Sequence, residues 1–366
     1  MFTGLREEAR KFDWLSFLAV GALVAIGLTA IYSVELSRDN PDFLNFKKQV
    51  GFVIAGIVLM FFFAFANYRQ LRNYSKFLIV LSLLSLLTVL FFGQTIRGHT
   101  AWLRLGGFGL QPVEFVKIVL LVAMAKFFSE HDMRVEPVRN ILKSGFLLAL
   151  LTTPILLQPD IGSVIILGGA WFFMLALSGI RARYLVILFF IIALLGTMGW
   201  FFILKDYQRA RLATFVNPAS DPLGAGYNIA QATIAIGSGG FWGKGIGLGS
   251  QSQLKFLPES HTDFIFAVIA EEMGFAIVFL ILALFIFYFY RIVKMAEGAR
   301  DNFTLFLCIG AVILFVLQNF INIGMNLGVA PVTGVPLTFI SYGGSSLISS
   351  FILVGILQSV RIKNKA

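Results

Sequence analysis

The sequence predicts an all-α polytopic membrane protein with about ten transmembrane helices and a large extracytoplasmic loop between spans seven and eight. Two observations carry this. Of the 366 residues, 58% are hydrophobic and 13% charged, and the mean hydropathy is +0.86, a balance that no soluble domain of this size shows. The apolar residues also fall in runs, and ten of these approach the ~20 residues that a bilayer requires. Residues 1–366 are expected to form one integral membrane domain, with 205–263 as the large loop within it.

The elements follow in order. Residues 1–13 are hydrophilic, and the run from Trp14 to Tyr32 is long enough to span. It lacks a convincing small-residue cleavage site, so it reads as an uncleaved anchor. The spans run roughly 14–33, 49–67, 77–93, 112–128, 144–158, 162–178, 184–204, 264–290, 303–326 and 344–360. The fifth and sixth are short, separated only by Gln158-Pro159-Asp160, and loop charges argue against merging them. With ten spans, both termini share a side. That side carries 18 Lys and Arg residues and the other 10, with Lys117 inside a span as the last of the 29. The richer side is cytoplasmic by the positive-inside rule, so loop 205–263 faces outward with Asp263 at its end. The expected location is the cytoplasmic (inner) membrane.

Composition also excludes. The net charge of +10 is spread over short loops, which argues against a nucleic-acid partner. The single cysteine, Cys308, lies in an apolar run and offers neither a disulfide framework nor a cysteine metal site. The 40 Phe residues suit bulky packing in lipid. Three outer pieces are rich in Gly and Pro: 97–112, the long loop, and 326–346. They are expected to form shaped loops, re-entrant turns or short helices. The glycines from Gly237 to Gly249 fit neither a phosphate-binding loop nor G-x-G-x-x-G. Two readings remain for them: a bent loop lying on the membrane, or backbone close to a sugar or pyrophosphate.

The ionisable groups inside or beside apolar runs carry the functional argument. Asp263 stands where a polar cluster meets an apolar helix, and a carboxylate there is costly unless something uses or pairs it. Its structural reading is a helix N-cap. Glu114 and Lys117 lie three apart on one helical face near the outer end of the fourth span. They form a mutual ion pair, or Lys117 meets a phosphate with Glu114 orienting it. Glu271 and Glu272 lie about two turns deeper than Asp263. Arg104, Arg209 and Arg211 sit on outward loops, where guanidinium forks suit a diphosphate as well as anionic lipid. His99 and His261 also face outward, and no zinc motif or G-x-S-x-G window is present.

These residues resemble those of the SEDS family (shape, elongation, division and sporulation), over nearly the whole chain. The matching motifs are Gln111-Pro-Val-Glu-Phe-Val-Lys117, Gln158-Pro-Asp-Ile-Gly162, Arg211-Leu-Ala-Thr-Phe-Val-Asn-Pro218, Gly224-Ala-Gly-Tyr-Asn-Ile-Ala-Gln231, Phe256-Leu-Pro-Glu-Ser-His-Thr-Asp-Phe-Ile-Phe266 and Ser341-Tyr-Gly-Gly-Ser-Ser346. Ser238-Gly-Gly-Phe-Trp-Gly243 and Gln251-Ser-Gln-Leu-Lys-Phe-Leu-Pro258 look like the elongation branch (RodA type) more than the division branch. Thr338 stands where the family often has Pro.

The resemblance implies a peptidoglycan glycosyltransferase that polymerises lipid II outside the cytoplasmic membrane during elongation and shape maintenance. Its implied partners are a class B penicillin-binding protein (a transpeptidase), other proteins of the elongation complex and membrane lipid. Asp263 corresponds to the family's catalytic Asp, and Glu114 and Lys117 to its Glu and Lys on the fourth span. His261, Arg104, Arg209 and Arg211 are assigned with them to substrate binding. Inversion needs one base, and cations can assist a diphosphate to leave. A divalent cation such as Mg2+ is compatible with that role, although no ligand cluster stands out in the sequence. A lipid II flippase and a non-catalytic scaffold of the wall-synthesis complex are the alternatives.

Overall fold

The structure is a computed structural model that describes residues 8, 10–36, 43–96, 99–105, 108–202, 209, 213–215, 224–254, 256–257 and 259–364. Each expected span is a helix: α1 (Trp14–Leu36), α2 (Leu44–Phe65), α3 (Arg69–Phe92), then, after a short sheet, α4 (Val113–Glu130), α5 (Pro137–Leu157), α6 (Ile161–Leu177) and α7 (Ala182–Phe202). Within the long loop lie α8 (Ala225–Ser238) and the single turn α9 (Ser250–Gln253). The last three spans are α10 (Ile265–Glu297), α11 (Asn302–Asn326) and α12 (Gly344–Asn364). Eight of these helices are long and apolar enough to cross a membrane. The other two expected spans are α6, at 17 residues, and the charge-bearing α4, at 18.

The connection between α3 and α4 differs from expectation. It forms a three-stranded antiparallel sheet of β1 (Gln94–Ile96), β2 (His99–Leu105) and β3 (Phe108–Leu110). Paired strands satisfy backbone groups that a loop would leave open, and Gly109 opposite Arg104 leaves room for the Trp102 ring.

The core runs through α4, α11 and α12, whose buried side chains include Leu121, Met124, Leu307, Phe315, Phe351 and Leu357. Small residues let α2 and α12 pack tightly: a Cβ on Gly56 of α2 would strike the Phe351 ring, and one on Gly355 of α12 the Met60 backbone. By contrast, α7 has no buried residue and meets the core only through the partly buried Tyr184, Leu185 and Leu188. At the end of the bundle away from the sheet, Arg291 of α10 holds Asp13 with two bonds of 2.9 and 2.6 Å, and Gln358 of α12 pairs with the Asp13 backbone. Burial pushes the Asp13 carboxyl up, but its bonds to Arg291 and Ser16 outweigh this and hold it below the usual carboxylate range.

Candidate active site

The chain entering α10 is pinned carbonyl by carbonyl. The His261 carbonyl accepts from the Tyr342 N–H at 2.9 Å, and that of Thr262 from the Ser341 hydroxyl at 2.7 Å. The Asp263 carbonyl accepts from Nδ2 of both Asn322 and Asn326, at 3.1 and 3.0 Å. Asn326 also accepts from the Ala267 N–H in the first turn of α10. The N-cap of α10 is Phe264, with no side-chain cap bond, so Asp263 is not the cap. Its carboxylate instead borders a cavity and faces Gly334, where a Cβ would lie 3.7 Å from Oδ2.

That cavity holds about 460 Å3 at the end of the bundle that carries the sheet. Asp263, His261, Glu114 and Lys117 all line it, together with Lys48 and Asp160. The His261 ring meets Tyr342 edge to face at 5.5 Å. Lys117 Nζ lies 2.8 Å from Glu114 Oε1, with side chains 3% and 4% exposed. Asp160 caps α6 by accepting from the Ser163 N–H and hydroxyl. Two pairs of residues from distant parts of the sequence, expected to act together, thus face one space. Arg209 is not among the lining residues; it donates to the Phe201 carbonyl at 3.0 Å. Arg104 lies on β2, paired with Gly109. Arg211 lies outside the described residues.

The residues that position Asp263 were missed in the sequence. Gln318, Asn319, Asn322 and Asn326 form a polar stripe on α11, at three- and four-residue spacing. Gln318 donates to the Pro336 carbonyl and Asn322 to that of Val335, while Asn319 accepts from the Thr338 N–H at 3.1 Å. A proline at position 338 has no such N–H, so Thr338 adds a bond where the usual residue would lose one. The signal was present: buried amides in an apolar helix must find partners.

The Gly-rich segment has a packing role that neither expected reading included. It inserts into α10. The helix breaks at Gly274 (φ 75°), about 14 Å from its start at Ile265. In an unbroken helix the Phe275 and Ala276 N–H groups would bond to the Glu271 and Glu272 carbonyls. Here they donate to Gly240 and Phe241, while those two carbonyls accept from Lys244 and Gly245. Cβ atoms on Gly239 or Gly243 would collide with this backbone. Glu271 and Glu272, both buried, complete the splice. Glu271 binds Lys244 at 2.8 Å and the N–H groups of Gln251 and Ser252. Glu272 binds Ser33, Ser252 and Gln253. Neither glutamate lines the cavity.

Among the described residues, no group of three or more His, Cys, Asp or Glu could hold a metal ion.

Comparison with known proteins agrees with this architecture. The family model described as "Cell cycle protein" (FtsW/RodA/SpoVE) matches residues 13–366. The chain is 38% identical over 340 residues to the peptidoglycan glycosyltransferase MrdB of Escherichia coli K12, covering 92% of this chain and 91% of that protein. It is 36% identical over 365 residues to the stage V sporulation protein E of Bacillus subtilis, covering 95% and 96%. A chain from a solved peptidoglycan synthase complex, described as coordinating polymerization and crosslinking, superposes with a TM-score of 0.82 at 31% identity, covering 96% of this chain and 98% of that one. The crystal structure of the Thermus thermophilus rod shape determining protein RodA gives 0.71 at 28%, covering 96% of each. These matches over nearly the full length establish that the chain belongs to the FtsW/RodA/SpoVE family, the SEDS proteins.

Proposed function

We propose that the chain is a peptidoglycan glycosyltransferase that polymerises lipid II in the 460 Å3 cavity, with Asp263 as general base. The glycosyltransferase class is that of its curated relatives. The observation that carries the site is the convergence of Asp263, His261 and the Glu114–Lys117 pair on one cavity, with the Asp263 backbone fixed by Asn322 and Asn326. In this reading Asp263 takes the proton from the acceptor hydroxyl. That oxygen bonds to the donor's anomeric carbon with inversion, and the carbon–oxygen bond to the diphosphate breaks, its electron pair leaving with the polyprenyl diphosphate. Lys117 stabilises the leaving charge, and Glu114 holds the ammonium in place.

The cavity faces outward from the cytoplasmic membrane and both termini are cytoplasmic, as the loop charges support. A class B penicillin-binding protein crosslinks the product, supported by the likeness to a chain of a synthase complex. The enzyme acts in cell elongation.

The test is polymerisation of purified lipid II by the protein with its partner. Asp263→Asn should lower the rate by about two to four orders of magnitude without loss of accumulation or partner binding. Activity within a few-fold of wild type would remove Asp263 as base and leave it a structural role at the start of α10, whereas no polymerisation by the wild-type protein with its partner would favour a flippase or a scaffold.

A further inference from the structure

We infer that Lys48 is a second cationic anchor for the substrate's diphosphate, in the cavity that the Glu114–Lys117 pair also lines. The inference rests on the glycosyltransferase reading and extends it to a residue outside the motifs that carry the resemblance.

Among the described residues lining the cavity, the cations are Lys48 and Lys117. Lys117 is bound to Glu114 at 2.8 Å, so that pair brings almost no net charge to an incoming anion. Asp263 and Asp160 add negative charge to the same walls. A diphosphate entering this space requires a positive group that is not already neutralised. Lys48 meets that requirement: it is half-buried, and no described carboxylate lies within ion-pair distance of it.

Its position is also fixed. Lys48 and Phe52 are four apart on α2 and both line the cavity. The adjacent Gln49 is buried and clasps the cavity's loop wall, donating to the Ser341 carbonyl at 3.1 Å and accepting from the Gly343 N–H at 3.2 Å. Below it, α2 is locked to α12 through Gly56 and Gly355. Lys48 thus borders the cavity from a helix held on both sides, at the end of the bundle that carries the sheet, and its ammonium can reach a diphosphate bound there.

The experiment measures equilibrium binding of polyprenyl diphosphate, with polyprenol and phosphatidylglycerol as controls, to detergent-purified protein carrying Asp263→Asn. This parent should prefer the diphosphate to polyprenol. Adding Lys48→Gln or Lys48→Met should weaken diphosphate binding about ten- to a hundredfold, as expected for one charge-assisted bond, and leave polyprenol binding unchanged. Lys48→Arg should retain most of the affinity. Lys47→Gln, on the exposed side of the same turn, should change little. Thermal unfolding of each variant separates a lost contact from a misfolded protein. Undiminished diphosphate binding in folded Lys48→Gln and Lys48→Met proteins would overturn the inference while leaving the cavity reading intact. An equal loss for phosphatidylglycerol would overturn it in favour of a bilayer-lipid contact. A parent with no preference for the diphosphate would remove the cavity reading, and this inference with it.

Discussion

Replacing Lys117 with Met leaves Glu114 facing no cation at a position where its side chain is 4% exposed. At 2.8 Å the gross attraction of the pair is about 6 kcal/mol for an effective dielectric of ~20. Most of that offsets the cost of taking two ions out of water, so the intact pair is close to neutral. Its disruption is not: an orphaned buried charge costs about 3–5 kcal/mol. The pair borders the cavity, where water can reach the surviving group, so the lower end, about 3 kcal/mol, is expected. Glu114→Gln should cost a similar amount, and the double neutral variant much less than the two together. The assay is a double-mutant cycle on unfolding in mixed micelles, run beside polymerisation. With about 3 kcal/mol for each single change and little for the double, a coupling of about 4–6 kcal/mol is expected. Single costs that add within about 0.5 kcal/mol would refute the reasoning. The exchanged pair, Glu114→Lys with Lys117→Glu, should regain stability but not polymerisation. Regained polymerisation would reduce Lys117 to a structural role.

Gly243→Ala should destabilise the protein by at least about 1–2 kcal/mol from its positive φ alone, and further because the new Cβ meets the Glu272 carbonyl. Gly237→Ala on α8, with open space around it, should be harmless, and equal melting temperatures for the two would refute the splice. For topology, with Cys308 replaced, Lys47→Cys should react with a membrane-impermeant thiol reagent added outside spheroplasts and Ala299→Cys should not; the reversed pattern would place the cavity in the cytoplasm.

Much of the fold was legible because a membrane demands it: uninterrupted apolar runs can only be helices, and each of the ten expected spans is one. Asp263, Glu114 and Lys117 were legible for the same reason, as charges that lipid does not tolerate without purpose. The break in α10 was not. A glycine inside an apolar run looks like an ordinary helix residue, and the groups that complete Gly274's surroundings come from residues about thirty positions earlier. The sheet was hidden by a different cause: its strands are three to seven residues long, too short for alternation to stand out among glycines. The α11 stripe was readable and unread, since Asn322 and Asn326 show their spacing plainly but not that both amides reach the carbonyl of Asp263. Arg209 shows the limit of grouping residues by loop: its guanidinium meets the end of its own preceding helix.

The splice at Gly274 bears on how the chain enters the bilayer. A helix that inserts alone arrives with its hydrogen bonds complete. In its native, broken form α10 has open N–H and C=O groups about 14 Å along its length, each costing several kcal/mol in hydrocarbon unless another segment meets them. The segment that fills the gap, Gly239–Gly245, is made earlier by the ribosome but has no helical span of its own to carry it inward. Neither piece holds its native conformation in lipid without the other. The native break and the segment that fills it therefore form together, which ties Gly239–Gly245 to α10 in the last stage of folding.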